Sequence, residues 1–147
     1  MSFERSRPSA RDTQAQYARH ARRYAESGLH RRGESLETVR SLAAATPADR
    51  ALDIGTGTGF TAFALAGDGA RVLAVDLTPE MLAEGRRLAG EMRLEAKLDW
   101  LLAAAERLPL PDDTFPVVTC RYASHHFHDL PRALRELARV ARPGGRF

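Results

Sequence analysis

Three groups of side chains in this chain have types and spacings that could do chemistry. The first is Leu52-Asp53-Ile54-Gly55-Thr56-Gly57-Thr58-Gly59, where an apolar run meets an acid and three glycines then alternate with threonines. Without a Cβ, each glycine lets the chain turn tightly and bring its backbone against a ligand. A helix following such a turn aims its free N–H groups at whatever sits over it. The second group is Asp76, 23 residues past Asp53, closing the apolar run Val72-Leu73-Ala74-Val75. An acid at that strand tip suits a hydrogen bond to the ribose hydroxyls of an adenosine. Glycine loop and acid together indicate an adenosine-bearing ligand. The third group is His125-His126, shortly after the lone thiol of Cys120. Imidazole titrates near neutrality, so His126 is a candidate general base. A histidine pair is also a possible metal site, but no cysteine or further histidine falls at ligand spacing, and no metal is expected.

The elements that must position these groups follow from periodicity. Strand patterns at 50–54, 70–75, 97–103 and 117–121 alternate with helix patterns at 58–67, 79–92 and 130–141. Such alternation predicts a Rossmann-like α/β fold, a doubly wound, mostly parallel sheet with helices on both faces. Thr78-Pro79-Glu80 reads as an N-cap, a first-turn proline and an acid at the positive end of the helix dipole. In the last helix Leu134, Leu137, Ala138 and Ala141 recur at core spacing, with Arg132, Arg135, Arg139 and Arg142 mostly towards water. Pro143-Gly144-Gly145 then stops it, and Arg146-Phe147 reads as the start of a further strand. Upstream, residues 1–11 are expected to be a disordered lead. Helices are expected over 12–26, where Tyr17 and Tyr24 recur at helical spacing, and over 34–45, where Leu36, Val39, Arg40 and Ala43 share a face.

Composition bounds the rest. The chain has 147 residues, 44% hydrophobic and 28% charged, which suits one globular domain. Its formal net charge is +3, and ten of its 22 basic residues lie in the first 50 positions. No dense basic run with interleaved aromatics accompanies them, so a solvated arginine-rich face is expected and nucleic acid is not. One cysteine excludes an internal disulfide and fits a reducing compartment. No apolar run approaches the roughly 18 residues needed to span a bilayer. The first residues lack the apolar segment of a secretory signal. A cytoplasmic location is expected.

The third glycine narrows the cofactor. A dinucleotide fingerprint G-x-G-x-x-G would place it at position 60, where the chain has Phe60; it comes one residue early, at Gly59. The tight G-x-G-x-G form, with an acid two residues before it, resembles motif I of the class I S-adenosylmethionine-dependent methyltransferases. Loop and acid alone do not separate that cofactor from NAD. Three further segments do. Ala105-Glu106-Arg107-Leu108-Pro109-Leu110-Pro111-Asp112-Asp113-Thr114-Phe115 resembles a segment of methyltransferases related to the ubiquinone/menaquinone-biosynthesis C-methyltransferases. Ser124-His125-His126-Phe127 resembles their paired-histidine segment, and Arg135-Glu136-Leu137-Ala138-Arg139-Val140-Ala141-Arg142-Pro143-Gly144-Gly145 their last helix and turn. Tyr24, Ser27, His30 and Gly33 match their lid region.

The resemblance implies roles residue by residue. Gly55, Thr56, Gly57, Gly59 and the neighbouring backbone would cradle the methionine part of S-adenosylmethionine, with Asp53 near its amino group. Asp76 would hold the ribose, Leu77 and Met81 would sandwich the adenine, and Ala105 would offer it a backbone N–H beside Glu106. The backbone near Arg121 would meet the methionine ammonium. His30, His125 and His126 would lie on the acceptor side. Two departures stand out. Ala104 occupies the place where relatives carry an adenine-binding Asp, and Pro116 replaces an Asp after Phe115. The proline reads as structural, since a first strand residue tolerates it. Cys120 reads as an inert core residue and Trp100 as core, while Tyr17, Tyr24 and His30 either cap the pocket or pack the N-terminal helices.

Methyl transfer from a sulfonium is an in-line displacement, so alignment and water exclusion are the main tasks. A base is needed only for a poorly nucleophilic acceptor. The expected function is methyl transfer to a small-molecule acceptor. The alternatives are a truncated cofactor-binding remnant without turnover and, disfavoured by the early third glycine, an NAD-dependent oxidoreductase. The remnant reading carries one structural expectation: a sheet stopped at Phe147 would leave strand 117–121 without its next neighbour and prone to self-association.

Overall fold

The computed structural model describes residues 10–22 and 33–147. Five strands form one all-parallel sheet in the order β3-β2-β1-β4-β5, with β1 at Arg50–Ile54, β2 at Arg71–Asp76, β3 at Leu98–Leu102, β4 at Phe115–Thr119 and β5 at Ala141–Arg146. Among the described residues five α-helices accompany it: α1 at Ala10–Ala18, α2 at Glu34–Ala43, α3 at Phe60–Gly67, α4 at Pro79–Glu91 and α5 at Leu130–Val140. The predicted α/β class and doubly wound arrangement hold.

Strand alternation sorts the core onto two faces. From β1, Ala51 joins a cluster with Ala62, Phe63 and Ala66 of α3 and Ala89 of α4, while Leu52 and Ile54 join Ala133, Leu137 and Val140 of α5. Central strands buried on both sides must be apolar throughout, which is why β1 and β2 read as short continuous apolar runs. Small residues dominate the first face. Ala51, Ala62, Ala66, Ala70 and Ala74 are all fully buried, so α3 lies close to the sheet.

Several expectations need correction. The buried stripe of α5 is Ala133, Leu137 and Val140, whereas Leu134 and Ala138 are exposed, so the helix sits about one residue round from the predicted face. Asp129 sets this register by accepting a hydrogen bond from the Arg132 N–H at 3.0 Å. Arg139 is not a water-facing arginine. It donates to Glu136, to Asp112 and to the carbonyls of Leu108 and Leu110, clamping the 108–112 segment onto α5. Thr78 stands at the N-cap of α4 but makes no side-chain cap bond.

The largest change is at the C-terminal end. Pro143-Gly144-Gly145 does not separate α5 from a new strand; it lies inside β5. The ladder pairs Phe115 with Ala141 and Val117 with Arg146, so β5 bulges between them. Pro116 and Pro143 both lack the N–H a regular ladder needs, and Gly144 takes φ +73° within the bulge. β4 therefore has its next neighbour, contrary to expectation, and among the described residues β3 and β5 are the two outermost strands.

Candidate functional site

The carboxyl ends of β1, β2 and β4 open onto a cavity of about 520 Å³, a size suited to a cofactor together with a small molecule. Strand order reverses here, since β1 lies between β2 and β4, and ligands of open α/β sheets bind at such switch points.

The glycine loop is held from two sides. The Thr56 N–H donates to the Val75 carbonyl at 2.9 Å, tying the loop to β2, and the Gly57 N–H donates to Asp76 Oδ2 at 2.8 Å. The glycines have distinct tasks. Gly55 has φ +63°, and a Cβ there would lie 2.3 Å from the Ala123 Cβ, so this glycine lets the segment after β4 close against the loop. Gly57 has φ +57° and nothing within 4 Å of where a Cβ would be, because that side faces the cavity. Gly59 has φ +98° and is packed by Phe63 and Trp100.

Asp53 lies beneath the cavity, not on its wall. It is only 1% exposed, and its two oxygens accept from Thr56 Oγ1 at 2.6 Å and Thr119 Oγ1 at 2.7 Å. Burial pushes its carboxyl up to about 6, against the opposing effect of the two hydroxyl hydrogen bonds. It works as a brace joining the tips of β1 and β4 to the glycine loop. Gly59 is likewise behind the wall. The remaining described candidates, Gly55, Thr56, Gly57, Asp76, Leu77, Met81, Ala105, Glu106, Arg121, His125 and His126, all line the cavity. His30, with Tyr24 and Ser27, lies outside the described residues.

Asp76 closes β2, accepts from the Gly57 and Thr78 N–H groups, and burial raises its pKa. The Thr78 hydroxyl and the Leu77 N–H also bear on this carboxylate, which lines the cavity. Met81 is buried on α4 below it, and Ala104 also lines the cavity. Glu106 Oε1 accepts from the backbone N–H groups of His128 at 2.7 Å and Asp129 at 3.3 Å, so it anchors the loop after the histidine pair. The Arg121 guanidinium donates to Thr61 Oγ1 at 3.0 Å and Ser35 Oγ at 3.2 Å and stacks 5.0 Å from the Tyr122 ring; burial lowers its pKa. Cys120 is half-buried just past β4, its thiol pushed up to about 12 by burial and by Asp53, which makes it unreactive.

His125 and His126 sit in a 3₁₀ turn that lines the cavity, with ring centroids 3.7 Å apart. Burial and the neighbouring His125 both lower the His126 pKa. The sequence reading overlooked Phe60, Tyr122 and Phe127 as wall residues. Tyr122 and Phe127 flank segments already singled out, and their adjacency to Arg121 and the histidine pair was the available signal. Among the described residues no cluster of three or more His, Cys, Asp or Glu could hold a metal ion.

The floor suits an adenosine with a charged tail: a backbone face open at Gly57, a cavity-lining acid at Asp76, and apolar Leu77, Met81 and Ala105 in the same lining. The fold and this floor define the class of Rossmann-like, S-adenosylmethionine-dependent methyltransferases. The methyltransferase-domain family matches residues 52–147. The chain belongs to that family, whose cofactor is S-adenosylmethionine. It is 38% identical over 131 residues to the uncharacterized methyltransferase YcgJ of Bacillus subtilis, covering 89% of this chain and 51% of that protein. It is 38% identical over 121 residues to the ubiquinone/menaquinone biosynthesis C-methyltransferase UbiE of Dinoroseobacter shibae, covering 81% of this chain and 48% of the relative. The crystal structure of YcgJ matches with a TM-score of 0.70 at 41% identity, over 74% of this chain and 46% of that one. The [4+2]-cyclase SpnF matches with a TM-score of 0.79 at 23% identity, over 94% of this chain and 58% of that one, a likeness of fold alone. The chain spans about half the length of the relatives it matches.

Proposed function

We propose that this chain binds S-adenosylmethionine along the Gly55–Gly59 loop and serves methyl transfer to a small planar acceptor seated against the aromatic wall. The observation that carries this reading is one cavity with two kinds of lining. The glycine loop, Asp76, Leu77, Met81 and Ala105 supply one kind. Tyr17, Phe60, Tyr122, Phe127 and the two histidines supply the other.

When bound, the sulfonium supplies a methyl group with an excellent leaving group already attached. The chain's own residues bind, orient and exclude water. Asp76 accepts from ribose hydroxyls while holding the Gly57 N–H. Leu77 and Met81 cover the apolar ring system. Flat aromatic side chains favour a flat acceptor, since ring pairs in stacked or edge-to-face contact contribute about 0.5–1.5 kcal/mol beyond burial. His126, whose neutral form is favoured by its surroundings, lies on the acceptor side and offers its ring as a hydrogen-bonding partner for the acceptor. Several relatives are named as quinone-pathway methyltransferases, which fits a hydroxylated ring as acceptor. Among the described residues no helix is long and apolar enough to cross a membrane. With the lone unreactive thiol, that supports a cytoplasmic setting.

Calorimetric titration with S-adenosylhomocysteine and with NAD tests the cofactor half. Selective binding of NAD would overturn the reading. A radiolabelled methyl-transfer screen over hydroxylated aromatic compounds tests the acceptor half. Tight cofactor binding with no transfer to any acceptor, by this chain or by a longer form of it, would favour a non-catalytic binding protein.

A further inference from the structure

Helix α1 contributes Gln16 and Tyr17 to the cavity lining and is fastened at two points. Gln14 Nε2 donates to the Leu77 carbonyl at 3.2 Å, just past the tip of β2. Three residues on, and so on the same face of the helix, the Tyr17 hydroxyl meets Nε2 of His126, and the two rings stand edge to face with centroids 5.0 Å apart.

The backbone carrying His126 is well fixed. Its N–H donates to the Ala123 carbonyl at 2.9 Å, and Glu106 holds the residues that follow. A fixed backbone does not fix an imidazole. The ring's rotation and its tautomer are set by what its two nitrogens meet. A phenol is a good donor and the pyridine-type nitrogen of a neutral imidazole a good acceptor, so in the Nδ1–H tautomer of His126 the bond runs from Tyr17 O–H to Nε2.

We propose that Tyr17 is a positioning residue for the acceptor side of the site: by donating to Nε2 it orients His126 and selects its Nδ1–H tautomer, so that this wall is complete only while α1 is in place. The proposal rests on the reading of His126 as an acceptor-side group, and its test is independent of methyl transfer. Burial and His125 already favour neutral His126. Tyr17 adds to them, because a hydrogen bond donated to the neutral form holds the pKa down.

The test is ¹⁵N NMR of the histidine rings across pH in the wild-type chain and in Tyr17→Phe. Phenylalanine keeps the ring contact and removes only the hydroxyl. In the wild type, Nε2 of His126 should carry no proton at high pH. In Tyr17→Phe the tautomers should mix, and the His126 pKa should rise by roughly 0.5–1 pH unit, the size of one lost hydrogen bond. His128, whose ring has no part in the pair, serves as the internal reference. A protonated Nε2 in the wild type overturns the proposal without any variant, and so does an unchanged His126 titration in Tyr17→Phe. S-adenosylhomocysteine titration of the same samples separates the two readings. Tight binding with an unaltered His126 sinks the positioning role alone, whereas failure of the wild type to bind sinks the cofactor assignment.

Discussion

Asp53 and Asp76 are both acids at strand tips, yet they sit in opposite situations. Asp53 is sealed under the loop, and its folded-state pKa of about 6 lies above the ordinary Asp range. A raised carboxyl pKa contributes stability at low pH that is lost as pH climbs from the unfolded value near 4 towards the folded one. Asp53→Asn keeps an acceptor and removes the buried charge. It should therefore gain stability relative to the wild type as pH rises from 5 to 7.5, by roughly 1–3 kcal/mol; thermal melts at both pH values check this, and a constant difference would be inconsistent with it. Asp76→Ala should weaken S-adenosylhomocysteine binding by roughly 1.5–3 kcal/mol, with the freed Gly57 N–H adding disorder to the loop. Ala104→Asp should tighten it by about 1 kcal/mol if the adenine lies over Ala104, and calorimetry would expose weaker binding instead. The acids were legible as residue types and spacings. The inward turn of Asp53 was not, because it depends on a hydroxyl from Thr119, 66 residues away.

At the level of elements, the glycine loop allows a separation of fold from binding. Gly55→Ala drives a methyl into Ala123 and should destabilise the fold by roughly 1–3 kcal/mol. Gly57→Ala meets no neighbour within 4 Å and costs only the strain of an L side chain at φ +57°, roughly 1 kcal/mol, so it should lose less stability than Gly55→Ala while losing cofactor affinity. Melting curves paired with titrations check both, and the reverse pattern would mean that the loop faces are exchanged. The Glu136–Arg139 clamp makes a third prediction. The Arg139 guanidinium holds the Glu136 carboxyl down at about 2. Its contribution is complete above the ordinary Glu range and fades as pH falls through that range towards 2, so Glu136→Gln should cost stability at pH 7 and little at pH 2. Acid titration followed by circular dichroism would show this. Strand and helix positions were legible because apolar periodicity reports burial. The one-residue turn of α5 was not, since its apolar residues offer two overlapping stripes and the Asp129 cap chooses between them. β5 was missed because proline and glycine usually end elements, and here they make a bulge within one.

For the molecule as a whole, alternation of strands and helices predicted the parallel sheet, but not that Ala141–Arg146 would form its outermost strand. One packing detail reaches further. Trp100, the chain's single tryptophan, touches the places where both Gly59 and Gly85 lack a Cβ, so it is wedged between the glycine loop and α4. The indole is a built-in optical gauge for that loop. Its emission should respond when a ligand settles on the glycines, giving a dye-free way to follow occupancy and release in real time.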